Sequence, residues 1–233
     1  MKRIFNTGIL GMILLFSLQA TAQKRRFNPK QRFHAGFIVG LNMAQLDGDR
    51  FNGYDKRGVM GGLQGIALVT RRVSLIAELL YSQKGSRVEY RDALFPDKTR
   101  ILGLDYAEIP ILVRIKLLPD SDDRKPLELE TGFSLSRLIA TNIEEDLDRV
   151  NYNYTEISDQ FRKTDFNYII GAHMEILPNF NLGIRSNIAF TKVYVNERAE
   201  EESALKARLG YINGPYTLLR NYHLSLYASY QIY

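Results

Sequence analysis

The chain has 233 residues, enough for one domain or at most two. Its 31 basic and 26 acidic residues give a net charge of +5, and setting aside Lys2 and Arg3 leaves 29 against 26, or +3, a balance that does not call for nucleic acid. Cysteine is absent, which excludes disulfides, thiolate metal sites, cysteine nucleophiles and a lipid anchor on an N-terminal cysteine.

In chain order, residues 1–22 read as a cleaved secretory signal. Lys2 and Arg3 supply the charged start, Ile9 to Leu18 the apolar run, and Ala20-Thr21-Ala22 the small-residue cleavage site before Gln23. The apolar run falls short of the roughly 20 residues that a spanning helix needs. Residues 23–32 then form a short periplasmic extension, and the domain proper occupies 33–233.

Eight segments within that domain alternate apolar and polar residues with period two, as strands with two unlike faces do. The first three lie near 33–45, 58–70 and 73–84, and the pattern leaves the facing of the second undecided. In the fourth, Ile109, Ile111, Val113, Ile115 and Leu117 oppose Glu108, Pro110, Arg114 and Lys116. In the fifth, Leu127, Leu129, Phe133 and Leu135 oppose Glu128, Glu130, Gly132, Ser134 and Ser136. The sixth is the clearest, with Phe166, Tyr168, Ile170, Ala172, Met174 and Ile176 against Asp165, Asn167, Gly171, His173 and Glu175. The seventh sets Leu182, Ile184, Ile188 and Phe190 against Asn181, Gly183, Arg185 and Asn187. The eighth sets Tyr222, Leu224, Leu226, Ala228, Tyr230 and Ile232 against Asn221, His223, Ser225, Ser229 and Gln231.

Connections alternate between long (47–57, 85–103, 141–164, 195–219) and short (Arg71-Arg72, 118–126, Pro178-Asn179). The apolar faces are nearly free of charge, whereas the polar faces mix glycine, serine and asparagine with isolated charges. Together these features predict an all-β fold: an eight-stranded antiparallel up-and-down transmembrane β-barrel with short periplasmic turns and long extracellular loops. Both termini are then periplasmic, in the outer membrane of a Gram-negative bacterium. Tyr81, Tyr106, Tyr168, Tyr194 and Tyr222 are expected in one aromatic belt, and Phe33, Phe180 and Tyr230 in the other.

Several runs resemble the PorT-like family of outer-membrane β-barrel proteins. They are Phe33-His34-Ala35-Gly36-Phe37 leading into Gly40-Leu41-Asn42, Glu78 to Gly85 (ELLYSQKG), Leu104 to Pro110 (LDYAEIP) before Leu112, Thr131-Gly132-Phe133, Gly171-Ala172-His173 and the alternating last strand. The resemblance implies an eight-stranded outer-membrane barrel; its namesake looks like a component needed for type IX secretion and surface motility. The chain departs from many such barrels in ending on Tyr233 rather than phenylalanine, an aromatic end still suited to the barrel-assembly machinery.

The candidate chemistry is a set of lumen charges: Glu78, Glu108, Arg114, Lys116, Glu128, Glu130, His173, Glu175 and Arg185. Pairing across the strand ends puts Arg114 opposite Glu130 and Lys116 opposite Glu128, while His173 is expected to face Arg185. A bore this narrow is filled by its own side chains, so these charges must pair. A structural network is the expectation; an ion path or small-ligand pocket serving a narrow transporter is the rival.

No catalytic, cofactor or metal site is expected. The three histidines do not cluster as ligands, no serine stands in a nucleophile elbow, and His223 with Glu108 is the one acid–histidine pair near the outer rim. Acidic runs at Glu144, Glu145, Asp146 and Asp148 and at Glu200 to Glu202 lack calcium-loop spacing and read as solvated surface. A short helix is expected over Glu200 to Leu209. Lys84, Arg87, Arg91, Lys98 and Arg100 could meet lipopolysaccharide phosphates. Expected partners are outer-membrane lipid and lipopolysaccharide, the assembly machinery, and other outer-membrane or secretion proteins. The function expected is that of a non-enzymatic interaction or accessory component.

Overall fold

Period-two alternation becomes nine strands in a computed structural model that describes residues 32–48, 53–92, 95–117, 127–145, 154–196 and 218–232, without the side chains of 88–99 and 156. The expected leader, the extension up to residue 31, the 118–126 turn and the Glu200–Leu209 helix lie outside the described residues. The strands are β1 (Phe33–Asp47), β2 (Lys56–Leu68), β3 (Val73–Asp92), β4 (Phe95–Lys116), β5 (Leu127–Glu145), β6 (Thr164–Leu177), β7 (Phe180–Ala189), β8 (Tyr194–Val195) and β9 (Leu218–Ile232). Each long strand pairs antiparallel with the next, β7 pairs with β9, and β9 closes on β1 from Ala35–Ile232 to Asp47–Arg220. Eight long strands therefore form a closed up-and-down barrel, and β8 is a two-residue bridge to the start of β9.

Burial is inverted relative to a water-soluble barrel. Phe37, Val39, Leu41, Leu63, Leu79, Ile109, Ile111, Phe133, Leu135, Ile170, Ile184, Leu226 and Tyr230 are exposed on the outside. Asn42, Gln64, Glu78, Glu108, Arg114, Glu130, Asn167, Arg185, Asn187, Ser225 and Ser229 are buried inside. Only a hydrocarbon solvent makes that arrangement favourable, since water would reward the opposite one. The facing of β2 is resolved: Met60, Gln64 and Ile66 point inward, and Val59, Leu63 and Gly65 outward.

The turn at 69–72 is tight, with Thr70 Oγ1 accepting from the Arg72 and Val73 amides at 3.1 and 3.0 Å. At Pro178-Asn179 the chain reverses through a φ of 67° at Asn179, a conformation asparagine tolerates.

Two long connections are shorter than expected because strand pairing continues through them. Residues 85–103 are not a loop: β3 runs to Asp92, β4 starts at Phe95, and the two stay paired throughout. β5 likewise continues to Glu145, opposite Arg100. Since β2 leaves β3 after the Met60–Ser82 pair and β6 leaves β5 after Thr164–Arg137, the upper part of β3–β4–β5 is a three-stranded wall standing above the rest of the rim.

Candidate functional site in the barrel lumen

One lateral row of the ladder organises the charges: Ser74, Arg114, Glu130, Gly171, Arg185, Ser225, Asn42 and Gly58 follow one another around the wall in register. Glu130 accepts from Arg114 Nη2 at 3.0 Å and Nε at 3.3 Å on one side, and from Arg185 Nε and Nη2 on the other. Gly171 stands between Glu130 and Arg185, and a Cβ there would come within 2.9 Å of Arg185 Cγ. The glycine is what lets the guanidinium lie along the wall and reach both neighbours.

Arg185 also reaches straight across the bore. Its Nη1 and Nη2 donate to Glu78 Oε2 and Oε1 at 2.7 and 2.8 Å. β7 and β3 are four strands apart in a ring of eight, so this bidentate pair ties opposite walls together. Tyr227 completes the layer. Its hydroxyl donates to Glu130 Oε1 at 2.7 Å, and its ring lies 4.3 Å from Arg185 Cζ. The ring occupies the space over Gly183, where a Cβ would meet Tyr227 Cζ at 2.3 Å. Two carboxylates and two guanidiniums make the quartet neutral.

Below it, Glu128 gathers His173 Nε2 at 3.2 Å, Lys116 Nζ at 3.6 Å and Arg114 Nε at 3.9 Å. The expected His173–Arg185 pairing is wrong by one inward position: His173 stands opposite Gly183, and Gly171 opposite Arg185. A register read from strand ends slips this way because the β6–β7 ladder shifts between Glu175 and Leu177. Glu175 is spent on the turn, its Oε1 accepting from the Asn179 amide at 2.9 Å.

Above the quartet, Glu108 pairs with Lys84 Nζ at 3.0 Å and accepts from Ser134 Oγ at 2.6 Å. His223 lies at this level, buried rather than at the rim, so its pairing with Glu108 is not an open acid–histidine site. A gap of about 10 Å³ bordered by Glu108, Arg185, Asn187, His223 and Ser225 has room for about one water. Higher still, Asn221 Nδ2 donates to Tyr106 Oη and Asp165 Oδ2, both at 3.1 Å, and Thr191 bonds the other Asp165 oxygen.

The long-loop mouth is filled by an apolar cluster of Leu46, Leu102, Leu104, Tyr106, Tyr154, Ile157, Phe161, Val193, Tyr194 and Leu219. Tyr106 and Tyr194 belong to this plug and not to an outer aromatic belt. Residues 155–160 form a 3-10 turn across the mouth, anchored by Glu145, whose carboxylate accepts from the Tyr154 and Thr155 amides at 2.7 and 3.0 Å. Within the acidic run at 144–148, Glu145 is thus an anchor, and Asp146 and Asp148 lie outside the described residues. The second-loop cations do not act as one surface, because Lys84 and Arg100 are buried. Lys84, Tyr227 and the plug escaped the sequence reading. The period-two rule itself points Lys84 and Tyr227 inward, but Lys84 was expected among the second-loop cations, and Tyr227 is a large ring on a face of small polar residues.

A closed antiparallel barrel with an apolar exterior, a polar interior and backbone groups paired around the whole ring is a membrane-spanning β-barrel. The chain belongs to the outer membrane protein beta-barrel domain family, whose model matches residues 21–195. It is therefore an outer-membrane protein, surrounded by lipid and lipopolysaccharide. Among solved structures it is similar to the attachment invasion locus protein Ail of Yersinia pestis, at 10% identity, covering 87% of this chain and 100% of Ail with a TM-score of 0.44. It is similar also to the outer membrane protein OprG from Pseudomonas aeruginosa, at 6% identity, covering 86% of this chain and 94% of OprG with a TM-score of 0.38. A comparison with curated proteins gives no match.

Proposed function

We propose that this protein is a non-enzymatic, non-conducting outer-membrane barrel that serves as an interaction or accessory component through its long-loop end. The lumen charges Glu78, Glu108, Arg114, Lys116, Glu128, Glu130, His173 and Arg185 are its internal staple, and Glu175 fastens a turn. The observation that carries this reading is the Arg185–Glu78 pair spanning the bore beneath the apolar plug. A transporter using the same charges would need continuous space, and the gap beside His223 has room for about one water.

The long loops face the exterior and both termini the periplasm, because short turns cross the bilayer during assembly more easily than long polar segments. Insertion then runs through the barrel-assembly machinery. The runs ELLYSQKG and LDYAEIP are what support a place among PorT-like barrels, and with it service to type IX secretion. The test is conductance in planar bilayers. A flat trace at physiological voltages is expected, and a stable open channel would overturn the reading. A pull-down from detergent-solubilised outer membrane would then name the partner, and recovery of secretion components would tie the barrel to that pathway.

A further inference from the structure

Among the described residues, one group of charges outside the lumen has no ion-pair partner. Arg137 leaves β5 on its outward face, and its Nη1 donates to Thr164 Oγ1 at 3.1 Å. Lys163 adjoins it, since the Lys163 carbonyl accepts from the Leu138 amide at 2.7 Å. The Arg162 amide donates to the Val193 carbonyl at 2.8 Å, which brings Arg162 beside Lys192. Four cations therefore collect where β5, β6 and β7 leave the barrel at the long-loop end. Arg137, Arg162 and Lys163 are exposed and Lys192 is half-buried. Among the described residues none of the four has an ion-pair partner. Of the acids close in sequence, Asp159 is exposed on the 3-10 turn and Asp165 is turned inward to Asn221 and Thr191. Two other cations contrast with them: Arg220 stands opposite Asp47 and bonds Tyr222, and Lys84, inside the lumen, is paired with Glu108.

Two to four residues from these cations along the chain lies an outward-facing aromatic stack. Phe133 and Phe166 are 5.5 Å apart and nearly parallel, and Phe166 and Phe190 are 6.0 Å apart. All three are exposed. The stretch from Phe166 to Leu177, at about 3.3 Å per residue and a tilt of roughly 40°, rises about 28 Å, close to the height of an outer-membrane apolar band. The stack therefore ends the band and the cations stand at the headgroup level.

We propose that this corner binds a phosphorylated, multiply acylated glycolipid of the outer leaflet, its phosphates on Arg137, Arg162, Lys163 and Lys192 and its acyl chains along Phe133, Phe166 and Phe190. The aromatic face continues the lipid-facing band, so the ligand must be an amphiphile and not a free polyanion. Four cations distributed along one stretch of rim, on neighbouring backbone, match a headgroup with separated phosphates better than a single-phosphate lipid. The leaflet assignment rests on the outward orientation of the long loops proposed above.

Native mass spectrometry of the detergent-solubilised full chain tests the site, using bis-phosphorylated lipid A, dephosphorylated lipid A and phosphatidylglycerol as probes. Bis-phosphorylated lipid A should bind at least about tenfold more tightly than either of the others. The quadruple variant R137Q/R162Q/K163Q/K192Q should lose that preference, and R220Q should keep it. Should the quadruple variant fail to close, as read by unheated gel mobility, the pairs R137Q/K163Q and R162Q/K192Q should each lose about threefold. Wild-type affinity in the neutralised variants, or equal binding of phosphatidylglycerol, would overturn the proposal. Binding in detergent does not depend on sidedness, whereas thiol labelling at Asp159 does. Periplasmic labelling there would refute the outer leaflet and the orientation together, with lipid binding read separately.

Discussion

Replacing Glu130 by methionine tests the staple most directly. The carboxylate accepts from Arg114 at 3.0 and 3.3 Å, from both Arg185 donors, and from the Tyr227 hydroxyl at 2.7 Å. Without it, Arg185 keeps its bidentate pair with Glu78, but Arg114 is left with Glu128 at 3.9 Å, beyond hydrogen-bond reach. A buried charge that loses its partner costs about 3–5 kcal/mol, and the orphaned tyrosine hydroxyl about 1–3 kcal/mol, with overlap between the two because they share one site. The expected loss is thus about 4 kcal/mol. Urea unfolding in lipid vesicles, with the folded fraction read from unheated gel mobility, measures it. Removing the charge of Arg114 as well, in R114M/E130M, should recover about 2 kcal/mol, since the unpaired guanidinium is gone and only the Tyr227 hydroxyl and Arg185 Nε still lack their acceptor. If the double variant is as unstable as the two single variants added together, Arg114 and Glu130 do not interact and the staple is wrong.

Gly183→Ala should cost about 1–3 kcal/mol by pushing a methyl into the Tyr227 ring, and Tyr227→Leu in the same chain should recover part of it in the same urea assay. Glu145→Ala removes the acceptor of the Tyr154 and Thr155 amides and should loosen the 3-10 turn by about 1–2 kcal/mol, seen as faster proteolysis across 154–161 while the barrel stays closed on gels. Single cysteines at Tyr54 and Asp159 should react with a membrane-impermeant thiol reagent on intact cells, and cysteines at Arg71 and Asn179 should not. The reverse pattern would invert the barrel.

The fold was legible because a lipid-facing strand must alternate, and no other environment demands an apolar exterior with glycine, serine and charge inside. The Arg114–Glu130 and Lys116–Glu128 pairs were legible too, since a short turn fixes the register of the strands it joins. The extent of β3 and β4 was not. Beyond the bilayer the outward face meets water and needs no apolar row, so the charge-rich run from Arg87 to Asp92 reads as a loop although pairing continues. The 3-10 plug escaped for the opposite reason: Tyr154, Ile157 and Phe161 are spaced neither as a strand nor as a long helix, and their burial depends on where the chain folds back. Tyr154, inside the connection expected over 141–164, is buried, whereas Asp159 on the same turn is exposed and can be labelled.

The tall β3–β4–β5 wall gives the molecule a compass bearing. A barrel with a level rim looks alike from every direction in the plane of the membrane, and neighbours can approach it from any side. Here β3 has 20 residues and β4 has 22, against 10 in β7. The stretch from Ser82 to Asp92 adds about 25 Å of height at about 3.3 Å per residue and a tilt of roughly 40°. With the long loops outward, as proposed above, a large object descending on the cell surface meets that wall before it meets the barrel rim. Its edges, β3 on one side and β5 on the other, then give the small barrel two sides that a partner from above can tell apart.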